Sequence, residues 1–87
     1  MTSFPLKISS PEGDIFCDEA VSFRARGTEG EFAVLAGHIP FVSYVKPCEC
    51  KITLVGGEEK LAETGGGILT VSKEKAIFLS GDFVWKE

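Results

Sequence analysis

One histidine, three cysteines and a scatter of carboxylates are the residues that could do chemistry in this 87-residue chain. His38 follows Gly37, and histidine is the side chain that exchanges protons or binds metals near neutral pH. To drive nucleophilic catalysis it would need Cys17, Cys48 or Cys50, or a serine with an acidic orienter. No G-x-S-x-G or cysteine-hydrolase signature surrounds any of them. The local sequence instead favours a loop histidine that packs or hydrogen-bonds at a strand end. Cys48 and Cys50 are two residues apart, the spacing of one strand face. Structural zinc asks for C-x₂₋₄-C pairs and four ligands, so the pair reads as two small buried apolar groups, with no metal expected.

Gly65-Gly66-Gly67 invites a phosphate-loop reading. Such a loop needs G-x-x-x-x-G-K-[ST] and a following helix whose N–H groups aim at the phosphate. Here no lysine follows closely and the glycines run into a strand, so neither a nucleotide nor any other cofactor is expected. They suit close backbone approach or a bulge. Glu29 and Glu31 straddle Gly30 in an exposed turn. They read either as a solvated loop or as an acidic contact for a basic partner surface.

The elements that must position these residues are strands. Residues 27–47 (GTEGEFAVLAGHIPFVSYVKP) hold two turns, at 27–30 and 36–38, around a short apolar run at 32–35. A second run, 39–45, closes on Lys46-Pro47. Before this block, Leu6 and Ile8 alternate with polar residues up to Ser10-Pro11. Residues 15–17 form a brief extended piece ended by Asp18-Glu19. Residues 20–26 form a separate strand, with Val21, Phe23 and Ala25 on one face and Ser22, Arg24 and Arg26 on the other. After the block, Cys48, Cys50, Ile52 and Leu54 alternate with Glu49, Lys51, Thr53 and Val55. A two-residue Gly56-Gly57 link predicts a hairpin. Its return strand, 58–64, is polar enough for a sheet edge. Residues 68–71 and 76–79 follow, the latter apolar on both faces and so central or covered. Phe83, Val84 and Trp85 end the chain. Strand signals at roughly 8–12-residue spacing indicate an all-β sandwich or barrel of two mostly antiparallel sheets, with about ten short strands in a single domain, 1–87.

Composition narrows the function classes. The net charge of −4 argues against nucleic acid, whose phosphates call for a Lys/Arg excess. No basic-then-apolar leader opens the chain and no long apolar run crosses a bilayer. Three cysteines without a secretory context fit reduced thiols in a cytosolic compartment.

The succession G-x-E-G-E-F, G-H-x-P, K-P and G-G-G-I-L-x-V resembles the epsilon subunit of the rotary F-type ATP synthase. The order and spacing match its N-terminal β-sandwich domain from about Leu6 to about Ser80. The resemblance implies a flattened sandwich of two five-stranded sheets. It also implies a non-catalytic rotor subunit of the central stalk, with no cofactor, which links the gamma subunit to the c-ring and couples proton or sodium translocation to ATP synthesis and hydrolysis. It favours the contact reading of the acidic turn: Thr28, Glu29 and Glu31 would face the ring. Ser10, His38 and Ser43 would face gamma. The implied location is peripheral, on the cytoplasmic face of the bacterial plasma membrane, held there through the complex without insertion.

Ala33, Ala36, Ile39 and Cys48 depart from the family pattern by small backbone or volume changes. Most members continue into a C-terminal helical hairpin, and the closing FVWKE reads as the end of a naturally short subunit. The alternative of a different class is a stand-alone β-sandwich binding module, or an enzyme using His38 with a cysteine.

Overall fold

The computed structural model describes residues 3–28, 30–37 and 40–86, and the described residues form nine strands and no helix. In chain order these are β1 (Phe4–Ser10), β2 (Gly13–Gly27), β3 (Gly30–Leu35), β4 (Phe41–Val45), β5 (Cys48–Leu54), β6 (Glu59–Thr64), β7 (Gly67–Val71), β8 (Ala76–Ser80) and β9 (Phe83–Lys86). All pairings are antiparallel except β1 with β8.

The element that organises the body is β2, 15 residues long. The sequence suggested two pieces split at Asp18-Glu19; they are one strand. The acidic pair continues the ladder, with Asp18 opposite Leu6 and Glu19 opposite Pro5. The first half of β2 pairs with β1, and the second half lies between β3 and β5. A bulge against β5 between Ala20 and Ser22 marks the changeover, and bulges bend a strand. It also shifts the alternation. Ala20, Phe23 and Ala25 are buried, while Val21, expected on their face, is only half-buried.

One continuous sheet thereby folds into two layers. The first runs β4-β7-β8-β1 and the start of β2; the second runs β3, the end of β2, β5, β6 and β9. Each layer has five strands because β2 serves both, so nine strands make the two five-stranded sheets that the resemblance implied. The inner faces meet through Phe23 of β2 and Phe78 of β8, with ring centroids 5.7 Å apart. Leu6, Ile8, Val34, Ile52 and Leu69 complete the core at 0–1% exposure.

Two details of the second layer differ from expectation. Val55 to Glu58 form the β5–β6 connection, longer than a Gly-Gly pair: the Gly57 N–H donates to the Leu54 carbonyl at 2.9 Å, and the Leu54 N–H to the Glu58 carbonyl at 2.8 Å. Gly57 takes φ +92°, the glycine-bulge form of a hairpin. The polar strand β6 is also not the edge, because β9 pairs along it from Leu61↔Lys86 to Thr64↔Phe83. Phe83 and Trp85 pack edge-to-face at 5.1 Å, and Trp85 meets Phe16 at 6.0 Å. β9 therefore extends the layer beyond β6.

Candidate functional site

At one end of the body the β2–β3 hairpin and β4 diverge. Their backbones pair once, at Gly27↔Val45, where the Lys46 N–H donates to the Arg26 carbonyl at 2.8 Å, and the Phe32 and Phe41 rings meet edge-to-face at 6.3 Å. A Cβ on Gly27 would sit 3.3 Å from both Ser43 Oγ and the Tyr44 carbonyl oxygen, so glycine there lets the strands approach this closely. Beyond that point a cleft of about 500 Å³ opens, lined by Thr28, Glu31, Phe32, Val42, Ser43 and Tyr44 with Gly27 and Gly30. Thr28 and Glu31, expected to face a ring, thus share one cleft with Ser43, expected to face a shaft. Glu29 and His38 lie outside the described residues.

Ser10 sits elsewhere, at the β1–β2 turn. Its Oγ accepts from the Glu12 N–H at 3.2 Å and donates to the Gly13 carbonyl at 3.3 Å. It borders Leu79 on the neighbouring strand.

Beside Ser10 lies the feature that motif reading passed over. On the outer face of the first layer, Tyr44 stands opposite Ile68, Ile68 opposite Leu79, and Leu79 opposite Ser9. The next row is Val42, Thr70, Ile77 and Lys7. Tyr44, Val42 and Leu79 are 67%, 66% and 53% exposed. With strands about 4.8 Å apart, the row from Tyr44 to Ser9 is about 15 Å across, and no charge interrupts this face until Lys7. Contiguous apolar patches of this kind mark interaction surfaces. A signal for it was present: residues 76–79 are apolar on both faces, and in β4 both Val42 and Tyr44 fall outward.

The outer face of the second layer is the opposite. Lys86 pairs with Glu49 and Glu63, and Lys51 with Glu59 at 3.1 Å. Leu61 and Val84 lie exposed among these charges. On the other side of the same strands Lys60 lies over the Trp85 ring at 4.8 Å.

The cysteines are dispersed in role. Cys17 is exposed, Cys48 half-buried and Cys50 fully buried. Burial first, and then the Cys48 thiol beside it, pushes the Cys50 thiol up to about 12. That is the reverse of an activated nucleophile. The backbone N–H of Arg26 donates to Cys48 Sγ at 3.4 Å. Among the described residues no three His, Cys, Asp or Glu side chains come together to hold a metal, and no helix is long and apolar enough to cross a membrane. Gly65, Gly66 and Gly67 join β6 to β7 without a helix. A Cβ on Gly67 would collide with the Leu79 carbonyl, so close strand packing accounts for that glycine.

Residues 3–86 match the family model of the ATP synthase delta/epsilon chain β-sandwich domain. An ATP synthase epsilon chain from Dichelobacter nodosus is 32% identical over 81 residues, which is 93% of this chain and 57% of that relative. The chain thus spans little more than half the length of that protein. In fold it is similar to a chain of the Euglena gracilis mitochondrial ATP synthase structure, with TM-score 0.91 at 22% identity, covering 98% of this chain and 54% of the other. It is similar also to a chain of the Tetrahymena thermophila mitochondrial ATP synthase central stalk and c-ring structure, with TM-score 0.79 at 12% identity, covering 94% and 66%.

Proposed function

The chain belongs to the ATP synthase delta/epsilon chain β-sandwich family, and from that premise we propose that it is a non-catalytic rotor subunit of the central stalk. In this reading residues 1–87 act as one module. It grips the gamma subunit on one side and the c-ring on another, so that proton or sodium translocation and ATP synthesis or hydrolysis stay coupled. It works peripherally, on the cytoplasmic face of the bacterial plasma membrane, through the complex.

The observation that carries the reading is the contrast between the two outer faces. Apolar side chains cover the outer face of β4, β7 and β8, with Ser10 at its β1 margin. The other layer is laced with ion pairs. A shaft that must be held without slipping needs buried apolar contact, since exposed ion pairs contribute little. The first face is therefore assigned to gamma, and the cleft with Thr28 and Glu31, at the hairpin end, to the ring.

The test is co-purification with gamma and assembly into the enzyme. Ile68→Glu/Leu79→Glu is expected to keep its β-sheet circular dichroism and bind gamma at least about tenfold more weakly, because it buries charge at the centre of the contact. Glu31→Lys is expected to keep gamma and lose coupling between ATP hydrolysis and ion pumping. A wild-type chain that ignores gamma would remove the stalk role. A double variant that binds gamma normally would move the shaft contact to another face.

A further inference from the structure

Cys48 and Cys50 set two thiols side by side at the start of β5. Both turn to the inner face: Cys50 belongs to the core and Cys48 packs against it. The thiols are close enough to hydrogen-bond. Cys50 is fully buried. Cys48 is half-buried and lines a cavity of about 340 Å³, with Pro47, Glu63, Thr64 and Asp82 among its walls. The Arg26 N–H donates to Cys48 Sγ at 3.4 Å, the kind of outer contact that steadies a metal-bound sulfur. The pair is poorly spaced for a disulfide. Such a bond mostly holds its Cα atoms about 5.5–6 Å apart, whereas two residues of strand span about 6.8 Å. A bridge with an ion inserted is longer. One S–S bond of about 2 Å becomes two metal–sulfur bonds of about 2.3 Å each.

We propose that Cys48 and Cys50 form a two-coordinate site for a soft d10 cation, Cu(I), reached through the cavity beside Cys48. Among the described residues no third His, Cys, Asp or Glu joins them, so the four ligands of zinc are missing. Two thiolates in line satisfy Cu(I), which soft sulfur selects. Glu63 and Asp82 bring carboxylates to the cavity, and negative walls draw a cation in. As the ion binds, both S–H bonds break and their protons pass to water. Two Cu–S bonds form, and copper stays Cu(I), so no oxidant or reductant is consumed. A soft ion displaces thiol protons even where burial holds them. The bridge keeps one negative charge, and the Arg26 N–H faces it at Cys48 Sγ. The exposed Cys17, on β2 opposite Lys7, takes no part. The site is independent of the stalk reading.

The test is an anaerobic titration of the reduced chain with Cu(I) held by the chromophoric competitor bicinchoninate. Wild type is expected to withdraw one equivalent, and Cys17→Ala to match its affinity within about twofold, as a distant site should. Cys48→Ala and Cys50→Ala are each expected to bind about a hundredfold more weakly, since a lost ligand costs at least as much as a lost outer-shell partner. Circular dichroism and Trp85 fluorescence check that these variants are folded. X-ray absorption on the wild-type complex needs no variant. It is expected to show two sulfur neighbours, without nitrogen or oxygen, on a chain that sediments as a monomer. A wild-type chain that withdraws no copper overturns the proposal. So does a Cys50→Ala chain that binds like wild type, because the ion then sits on the more exposed thiols. A third ligand, or a dimer bridged by copper, overturns it as well.

Discussion

Cys50 shows how a reactive residue type becomes packing. It lies on the inner face of β5, opposite Ala62 of β6 and completely buried. Its folded-state pKa of about 12 stands above the ordinary 9.0. A group raised on folding contributes stability that is complete below its unfolded pKa and is lost as pH climbs toward the folded one. Urea unfolding is therefore expected to show stability falling between about pH 9 and pH 12, with a smaller fall in Cys50→Ala. Parallel pH profiles for the two proteins would refute the assignment. At neutral pH, native protein treated with a maleimide should be labelled at the exposed Cys17 and not at Cys50. Gly67 makes the same point for backbone. A side chain there would drive β7 away from the Leu79 carbonyl, so Gly67→Ala is expected to lose about 2–3 kcal/mol or more in a denaturant titration. Gly56→Ala, with open space around it, should change far less.

At the scale of elements, the decisive device is the closure where β6 runs into β7 and β8 into β9. Thr64 Oγ1 and Ser80 Oγ hydrogen-bond at 2.7 Å while buried to 5% and 2% exposure. Ser80 Oγ donates onward to the Asp82 carbonyl at 2.7 Å, and the Gly66 N–H donates to Thr64 Oγ1 at 3.0 Å. The Gly65 N–H reaches the same Asp82 carbonyl at 2.8 Å. Two connections from different layers are thus pinned to each other through two buried hydroxyls. Thr64→Val keeps the shape and strands the Gly66 N–H, so a loss of about 1–3 kcal/mol is expected by thermal or urea unfolding. Ser80→Ala removes more of the network's bonds and should cost at least as much. If Thr64→Val unfolds like wild type, the closure rests on β9 packing alone. Trp85 can report that packing, because it is the only tryptophan and lies against Phe16 and Phe83.

For the whole molecule, the two layers offer distinct surfaces to the proposed stalk role. One outer face is apolar and the other charged, while the hairpin end carries Glu31 at the cleft. Apolar contact is insensitive to screening, whereas contact through charge weakens with salt. Gamma binding should therefore survive a rise from low to high ionic strength, and ring attachment should weaken. Co-purification at the two salt concentrations checks both in one preparation. The reverse pattern would exchange the two surfaces.

Much of this was legible in the residues themselves. Two-residue alternation, glycine punctuation and the absence of helical periodicity are local properties. They located β1, β3, β5, β7 and β8 to within a few residues and identified Cys50 as core. The motif order from residues 27 to 71 pointed to the family. What the chain order could not decide was which strand covers which. A polar strand such as β6 looks like an edge until β9 pairs with it. A strand such as β2 looks broken at Asp18-Glu19 until β1 is seen to continue its ladder. The apolar face was hidden for the same reason: Tyr44, Ile68 and Leu79 are far apart in sequence and become one surface only when three strands align in register. Hydrophobic pattern sets which side of each strand turns inward. Only long-range hydrogen bonding sets which outward residues become neighbours, and the candidate binding surfaces are made of those neighbours.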